Sequence, residues 1–148
     1  MNRRAFASPI GRLCVTEENG ALVRLDWDGE GADDTPLLLE AERELGEYFA
    51  GTRREFDLPL APHGTAFQQA VWQALREIPY GESRSYGSVA AAIGKPKAVR
   101  AVGMANHRNP LSIFIPCHRV IGADGSLTGY GGGLDKKRFL LELESRYK

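Results

Sequence analysis

The chain of 148 residues is long enough for one compact domain, or for one domain with a small appendage, and 43% of its residues are apolar. This apolar content and a formal net charge of zero exclude a disordered chain. It contains no run of 18 apolar residues, which excludes a membrane-spanning helix. The basic start lacks the apolar stretch of a secretion signal, and we therefore expect a mature cytoplasmic protein.

The N-terminal part predicts a small sheet followed by one helix. Residues 11–16 and 21–27 alternate in polarity around Asn19-Gly20, a dipeptide typical of a tight hairpin turn. Thr35-Pro36 is typical of a helix start, with threonine as the cap and proline in the first helical position. Apolar residues then recur at helical spacing until Gly51, which is predicted to end the helix.

The part of the chain beyond Gly64 is predicted to be mainly helical. Ser85 is placed to cap a short helix over residues 86–93, and a further helix is predicted from Lys97 to Asn106. Two short helices joined by a tight turn that contains glycine form a helix-turn-helix, whose second helix enters a DNA groove. The pattern is common by chance, and small residues on the second helix would equally allow close approach to another helix.

The last third of the chain contains a short reactive sequence. Residues 111–120 are apolar and are predicted to form a buried strand or extended segment, interrupted by Cys117-His118-Arg119. Residues 122–133 are rich in glycine and predict a loop. Residues 134–147 predict a final helix, with Leu134, Phe139, Leu140 and Leu143 facing inward.

Two interpretations of Cys117 are open. Most free cysteines are small buried hydrophobic residues, and Cys14 on the predicted hairpin is assigned to that class. Cys117 differs because His118 and Arg119 follow it, and such residues are costly to place beside an apolar strand. Basic neighbours also lower the pKa of a thiol and so favour the nucleophilic thiolate. Cys117 is therefore a candidate nucleophile.

The position of His118 limits how it could act on that thiol. Because neighbouring residues of a strand point to opposite faces, its imidazole would reach the sulfur only through a bend or a bridging water. A carboxylate would then orient the imidazole, and Glu142 and Glu144 on the final helix are the two candidates. The remaining histidines and Cys14 are scattered without metal-ligand spacing, so we predict no metal site.

The zero net charge hides an uneven distribution. Residues 1–83 hold 8 Lys and Arg against 15 Asp and Glu, a net charge of −7. Residues 84–148 hold 11 against 4, a net charge of +7. A basic C-terminal part is typical of a surface that binds phosphates. Two solvated faces of opposite charge would also explain this distribution.

Five blocks in the C-terminal part together carry a family resemblance. They are Ser85-Tyr86, GKPKAVRAVG at 94–103, Asn109-Pro110, IPCHRV at 115–120 and GYGGGL at 129–134. Over about residues 64–146 the chain resembles the O6-alkylguanine-DNA alkyltransferases, also called methylated-DNA–protein-cysteine methyltransferases. The resemblance implies an α+β fold with a reduced N-terminal sheet-and-helix lobe over residues 1–62. A helical domain like a winged helix-turn-helix, over residues 63–148, would carry the active-site cysteine.

The resemblance also implies a reaction. Such a protein repairs DNA by direct reversal, moving the alkyl group of O6-alkylguanine in double-stranded DNA irreversibly to its own cysteine, one event per molecule. It would act as a monomer without a cofactor or a metal. The alternative is a lesion-binding protein that recruits other repair factors. A non-enzymatic branch of the family has tryptophan at the cysteine position, and Cys117 argues against that branch.

Roles for individual residues follow from the same resemblance. The catalytic set would be Cys117 as nucleophile, His118 as a base acting through water, Glu144 behind it, and Tyr86. Arg100 would fill the space of the extruded base, on a DNA-binding surface with Lys97, Ala98, Ala101 and Gly103. The substrate pocket would comprise Asn109, Val120, Tyr130, Gly131 and Lys137. Without the resemblance, Arg100 and Lys137 would be interpreted as solvated charges and Tyr86 as a packed aromatic residue.

Overall fold

The structure is a computed structural model that describes residues 1–148, and the chain forms two compact units, Met1–His63 and Gly64–Lys148. A sheet and one helix make up the first unit, whereas helices dominate the second, which confirms the predicted α+β class. None of the helices is both long and apolar enough to span a bilayer.

The first unit is built on a three-stranded antiparallel sheet in the order β1-β2-β3. Its strands are β1 (Asn2–Ser8), β2 (Gly11–Glu18) and β3 (Ala21–Asp26). The turn between β2 and β3 lies at the predicted dipeptide, because Asn19 and Gly20 have φ values of 53° and 80°. Such left-handed pairs match the twist of a hairpin. Strand β1 was missed because none of its residues is fully buried, so no apolar alternation marks it.

One helix, α1 (Pro36–Phe49), completes the first unit. The Thr35 side chain accepts a hydrogen bond from the backbone N–H of Leu38, and Pro36 occupies the first turn, as predicted. Its buried side chains pack with those of the sheet to form the core of this unit. The fully buried members are Leu13, Cys14, Val15, Leu22, Leu38, Ala41, Leu45 and Tyr48.

The second unit contains four helices and a short parallel strand pair. They are α2 (Ala66–Arg76), β4 (Arg84–Ser85), α3 (Tyr86–Ala92), α4 (Val99–His107), β5 (Val120–Ile121) and α5 (Leu134–Tyr147). The Trp72 indole on α2 donates a 2.8 Å hydrogen bond to the Ala105 carbonyl on α4, which joins the two helices inside the core. In α5 the prediction for Leu134 was wrong, since 44% of this side chain is exposed.

The predicted helix-turn-helix is present as α3 and α4, but α4 begins later than expected. The backbone N–H of Ala98 donates to the Lys95 carbonyl at 2.9 Å, which closes a β-turn around Pro96. Lys97 therefore lies in the turn, and Ala98 is the residue before the first helical one, Val99. The second helix of the motif, α4, is called the recognition helix below. The prediction that Lys97 begins this helix was wrong, because Pro96 favours the turn in which Lys97 lies.

Residues 111–120 are buried as predicted, but they form neither the strand nor the extended segment that we expected. Ile115 donates its N–H to the Leu111 carbonyl at 2.9 Å, and Ile113 has a φ of 76°. Cys117–Arg119 then form one turn of 3₁₀ helix, and only Val120–Ile121 pair as a strand. Every residue from 111 to 120 is buried. The apolar run therefore reports burial, which a compact turn shares with a strand.

Candidate active site

Cys117 lies at the start of the 3₁₀ turn and is only 3% exposed. Its N–H donates to the Ile115 carbonyl at 2.7 Å. Its sulfur lies 3.8 Å from the Ser112 hydroxyl oxygen. Burial raises the pKa of the Cys117 thiol, whereas the polar groups of Asn109 and Ser112 and the charge of Lys137 oppose that rise. The site thus combines a desolvated thiol with groups that favour its ionised form.

Asn109 holds both ends of the turn that precedes the cysteine. Its Oδ1 accepts from the backbone N–H of Leu111 at 3.0 Å, and its Nδ2 donates to the Ile115 carbonyl at 2.8 Å. From α4, Asn106 Nδ2 donates to the Cys117 carbonyl at 3.4 Å. The three buried contacts fix the backbone that carries the thiol.

His118 is fully buried and pairs with Glu144, whose Oε2 lies 2.7 Å from the imidazole Nε2. Burial lowers the pKa of His118, and this outweighs the opposite effect of the carboxylate. A neutral ring that donates from Nε2 leaves Nδ1 as an acceptor, and Nδ1 has no partner in the protein. We predicted that strand alternation would point the side chains of Cys117 and His118 to opposite faces. The two residues instead stand in a 3₁₀ turn, where that alternation does not apply.

Glu144 is the carboxylate that orients His118, and it collects several donors at once. Arg119 donates from Nε at 2.8 Å and from Nη2 at 3.0 Å, and the Gly81 N–H donates at 3.2 Å. Burial alone would raise the pKa of Glu144, but the hydrogen bonds and charges of His118 and Arg119 hold it well below its usual range. Of the two predicted candidates, Glu142 is exposed and does not make this contact.

Lys137 anchors the glycine-rich loop to the site. Its ammonium group is buried and donates to the Val120 carbonyl at 2.6 Å and to the Thr128 carbonyl at 2.8 Å. Burial lowers the pKa of Lys137, an effect that Cys117 partly offsets. Tyr86 donates to the same Thr128 carbonyl at 3.2 Å and accepts from the Thr128 hydroxyl at 3.1 Å. Lys137 is therefore no solvated helix charge.

Tyr130 and Gly131 follow on that loop with different surroundings. Tyr130 is 7% exposed, and burial, with a smaller contribution from Cys117, raises the pKa of its phenol well above 10. Gly131 is exposed, and a Cβ added there would meet no atom within 4 Å. Glycine at 131 is thus not required by packing.

The recognition helix α4 and the turn before it present an exposed basic surface. Lys97, Arg100 and Ala101 are exposed, whereas Ala98 and Gly103 are half-buried. The Tyr86 ring lies 3.8 Å from the position that a Cβ on Gly103 would occupy. Tyr86 therefore contacts both the recognition helix and the loop that Lys137 anchors, which links the exposed surface to the buried site.

Three residues that contact the site without any signal in the sequence were missed, and a fourth residue, Arg119, had a signal. Ser112, Asn106 and Thr128 contact Cys117 or Tyr86 only because the chain returns to them, and no local pattern marks them. Arg119 had a signal, since it stands in an apolar segment, where a buried guanidinium requires a charged partner.

A buried Cys-His-Glu set in the same unit as a basic helix-turn-helix is the arrangement expected of a DNA-binding protein with a reactive cysteine. Two family models then match the chain. Residues 66–146 match the DNA-binding domain of 6-O-methylguanine DNA methyltransferase, and residues 1–62 match its ribonuclease-like domain. The chain belongs to the 6-O-methylguanine DNA methyltransferase family.

Individual relatives agree over nearly the whole length. The constitutive methylated-DNA–protein-cysteine methyltransferase of Bacillus subtilis (strain 168) is 53% identical, over 93% of this chain and 91% of its own length. The crystal structure of Mycobacterium tuberculosis OGT in complex with DNA is 49% identical, with a TM-score of 0.93, over 99% of this chain and 94% of that one. The chain is thus an enzyme of this methyltransferase type that acts in direct-reversal DNA repair, as the resemblance predicted.

The lesion-binding alternative has more distant support. The structure of Atl1 from S. pombe in complex with DNA that contains O6-carboxymethylguanine is 32% identical, with a TM-score of 0.50. The match covers 55% of this chain and 78% of that one.

Proposed function

We propose that this chain moves the alkyl group of O6-alkylguanine in double-stranded DNA onto Sγ of Cys117, once per molecule, acting as a monomer in the cytoplasm. The observation that carries the proposal is the buried set of Cys117, His118 and Glu144. In that set a neutral imidazole that donates from Nε2 to Glu144 keeps Nδ1 as an acceptor, on the residue that follows Cys117 in the 3₁₀ turn.

The first step removes the proton from the thiol. A water molecule between Sγ and His118 Nδ1 takes the thiol proton and passes a proton to Nδ1. Glu144 accepts from Nε2 and stabilises the imidazolium that forms. Arg119 keeps the carboxylate charged throughout, because it holds both carboxylate oxygens. Such proton transfer contributes roughly 10²–10⁴-fold to a rate.

The second step forms the S–C bond and breaks the bond between the alkyl carbon and O6. The electron pair of the broken bond stays on the guanine, which then takes up the proton that the thiol released. The products are ordinary guanine and a thioether on Cys117. The other cysteine, Cys14, is buried in the first unit on β2, so no second thiol of this site displaces the alkyl group. Each molecule therefore reacts once.

The lesion must leave the base stack before it can meet a buried thiol. Arg100 is exposed on α4 and would occupy the space of the extruded nucleotide, with Lys97 on the phosphates. Ala98, Ala101 and Gly103 are small, which lets α4 lie close to the groove. Tyr86 would guide the nucleotide from this surface toward the loop.

Inside the pocket, backbone groups would recognise the guanine. The carbonyls of Val120 and Cys117 would accept from its amino group. The Val120 carbonyl accepts from Lys137 Nζ at 2.6 Å. The Cys117 carbonyl accepts from the Val120 N–H and, at 3.4 Å, from Asn106 Nδ2, so the guanine amino group would replace the long Asn106 contact. Tyr86 and the Gly131 N–H would hold the oxygen edge, so Tyr86 exchanges its Thr128 partner for the base. Asn109, Tyr130 and Lys137 would keep the pocket walls in place.

A labelling experiment tests the proposal. The protein is incubated with a duplex that carries O6-[³H-methyl]guanine, and protein-bound label is measured together with the mass of the peptide that contains Cys117. We expect label to saturate at about one methyl group per molecule and to map to Cys117. The same duplex with unmodified guanine, added in excess, should slow the reaction without changing its end point.

Other outcomes would contradict it. Tight binding of the lesion with no label on the protein would favour the alternative, a lesion-binding protein that recruits other repair factors. Continued release of methanol or another small product beyond one equivalent would show turnover, which a thioether on Cys117 does not allow.

A further inference from the structure

Ser112 has no role in the reaction described above, yet it touches the reacting atom. Its hydroxyl oxygen lies 3.8 Å from Cys117 Sγ, and the residue is 7% exposed. Serine at this depth requires a polar partner, since an unpaired buried hydroxyl costs about 1–3 kcal/mol. The position is therefore built to hold a hydroxyl against the sulfur.

The backbone next to Ser112 supports the same view. Ile113, a β-branched residue 2% exposed, adopts a φ of 76°, which lies in the left-handed region that such residues avoid. Conformations of this kind persist only where the surroundings impose them, and they concentrate at functional sites. Here Asn109 hydrogen-bonds both sides of the turn, and Ile115 donates to Leu111 across it. The strained turn places Ser112 beside Cys117.

Few groups around the Cys117 sulfur stabilise its negative charge, so a hydroxyl that donates to the sulfur would contribute. Lys137 from α5 favours the thiolate. The Tyr130 phenol brings no positive charge to the sulfur, and the charge of Arg119 is paired with the Glu144 carboxylate. Burial works against ionisation of the thiol. Ser112 also lowers the pKa of the Tyr130 phenol, against the larger effect of burial.

We propose that Ser112 is a catalytic contact of the transfer: its O–H donates a hydrogen bond to the Cys117 sulfur as negative charge develops there. This inference rests on the proposed function. No bond of the serine is broken, because the thiol proton still leaves through water toward His118. The hydroxyl lowers the cost of the charged sulfur and aims it at the alkyl carbon.

The test compares Ser112→Ala with the wild type in a Cys14→Ala background, where Cys117 is the one remaining thiol. Thiolate absorbance near 240 nm gives the thiol pKa, and mass spectrometry gives the rate of transfer from free O6-benzylguanine. We expect a higher thiol pKa in the variant and a rate lower by about tenfold at pH 7, the effect of one hydrogen bond to a charged group. The difference in transfer rate between the variant and the wild type should become smaller as the pH approaches the thiol pKa.

Matched variants separate the hydroxyl from the fold. Ser145→Ala on the exposed end of α5 should match the wild type, and Ser112→Thr, which keeps a hydroxyl, should recover most of the rate. An unchanged pKa with a rate deficit that is constant across pH would overturn the proposal, as would an unaltered rate. If the wild type forms no adduct while Ser112→Ala still raises the pKa, the proposed function fails and the serine contact stands.

Discussion

Each of the two units buries one cysteine and one glutamate, but only the second unit joins them into a site. In the first unit the Cys14 sulfur lies 3.9 Å from the Glu30 carbonyl. Glu44 meets Arg53 at 3.4 Å and the Asp57 N–H at 3.0 Å. Burial, with a smaller contribution from Glu40, raises the pKa of Glu44.

In the second unit the buried glutamate has the opposite pKa shift, and the buried cysteine has polar neighbours. Glu144 is as buried as Glu44, yet its pKa is lowered, because Arg119 and His118 contact it at 2.7–3.0 Å and outweigh burial. The pKa of Cys117 is influenced by the side chains of Asn109, Ser112 and Lys137. The difference teaches that burial by itself disfavours charge and that directed donors decide whether a buried group stays ionised.

The cysteines provide the largest contrast. Cys117→Ala should abolish methyl transfer from the modified duplex, because the nucleophile is gone, while Cys14→Ala should retain a rate within about twofold of the wild type. Both replacements remove one buried sulfur, and each should cost about 1–2 kcal/mol of stability. Intact-protein mass spectrometry measures the transfer, and circular dichroism checks the fold. Transfer by Cys117→Ala, or equal loss in both variants, would remove the distinction between the two units.

The glutamates provide the next contrast, in stability. Glu144→Gln leaves the Arg119 guanidinium buried without its counter-charge, which should lower the free energy of unfolding by about 3–5 kcal/mol. Glu44→Gln keeps a hydrogen-bonding side chain where the charge is already disfavoured and should cost about 1 kcal/mol. Urea unfolding at pH 7 measures both. Equal losses would mean that the donors around Glu144 do not stabilise its charge.

Acidic pH distinguishes the two glutamates, because the pKa of Glu144 is lowered in the folded state and the pKa of Glu44 is raised. The folded-state pKa of Glu144 lies below the unfolded value of 4.5, so its stabilisation is present above pH 4.5 and is lost as the pH falls toward the folded pKa. The folded-state pKa of Glu44 lies above 4.5, so protonation favours the folded state. As the pH falls, the difference in the free energy of unfolding between the wild type and Glu144→Gln should shrink. The wild type should at the same time become more stable relative to Glu44→Gln. Parallel unfolding curves from pH 7 to pH 3 would contradict this.

The exposed arginines provide the smallest contrast. Arg100→Ala should slow transfer from duplex DNA by roughly 10- to 100-fold, since base extrusion costs a few kcal/mol, and leave transfer from free O6-benzylguanine unchanged. Arg12→Ala in the first unit removes the same charge from an exposed side chain that donates to the Gly29 carbonyl. It should leave both rates unaltered. A loss of equal size on both substrates in Arg100→Ala would reject its role in extrusion.

Much of the fold could be predicted because its signals are local. The caps Thr35 and Ser85 each accept from a backbone N–H three residues away, so the sequence around them suffices. The hairpin turn at Asn19-Gly20 likewise depends on two residues. The IPCHRV block indicated the family, since its residue types and order are specific, and it predicts Cys117 as the nucleophile.

Local patterns failed wherever distant partners decide. The apolar run 111–120 determined burial by itself, but the hydrogen bonds of Asn109 and the conformation of Ile113 made it a turn. The sequence offered Glu142 and Glu144 equally, and packing of α5 placed only Glu144 against His118, 26 residues away. Burial of Lys137 depends on carbonyls that the folded chain brings to it. Residue types thus determined the chemistry, whereas the tertiary structure decided which groups are desolvated together, because desolvation depends on neighbours that the chain order does not specify.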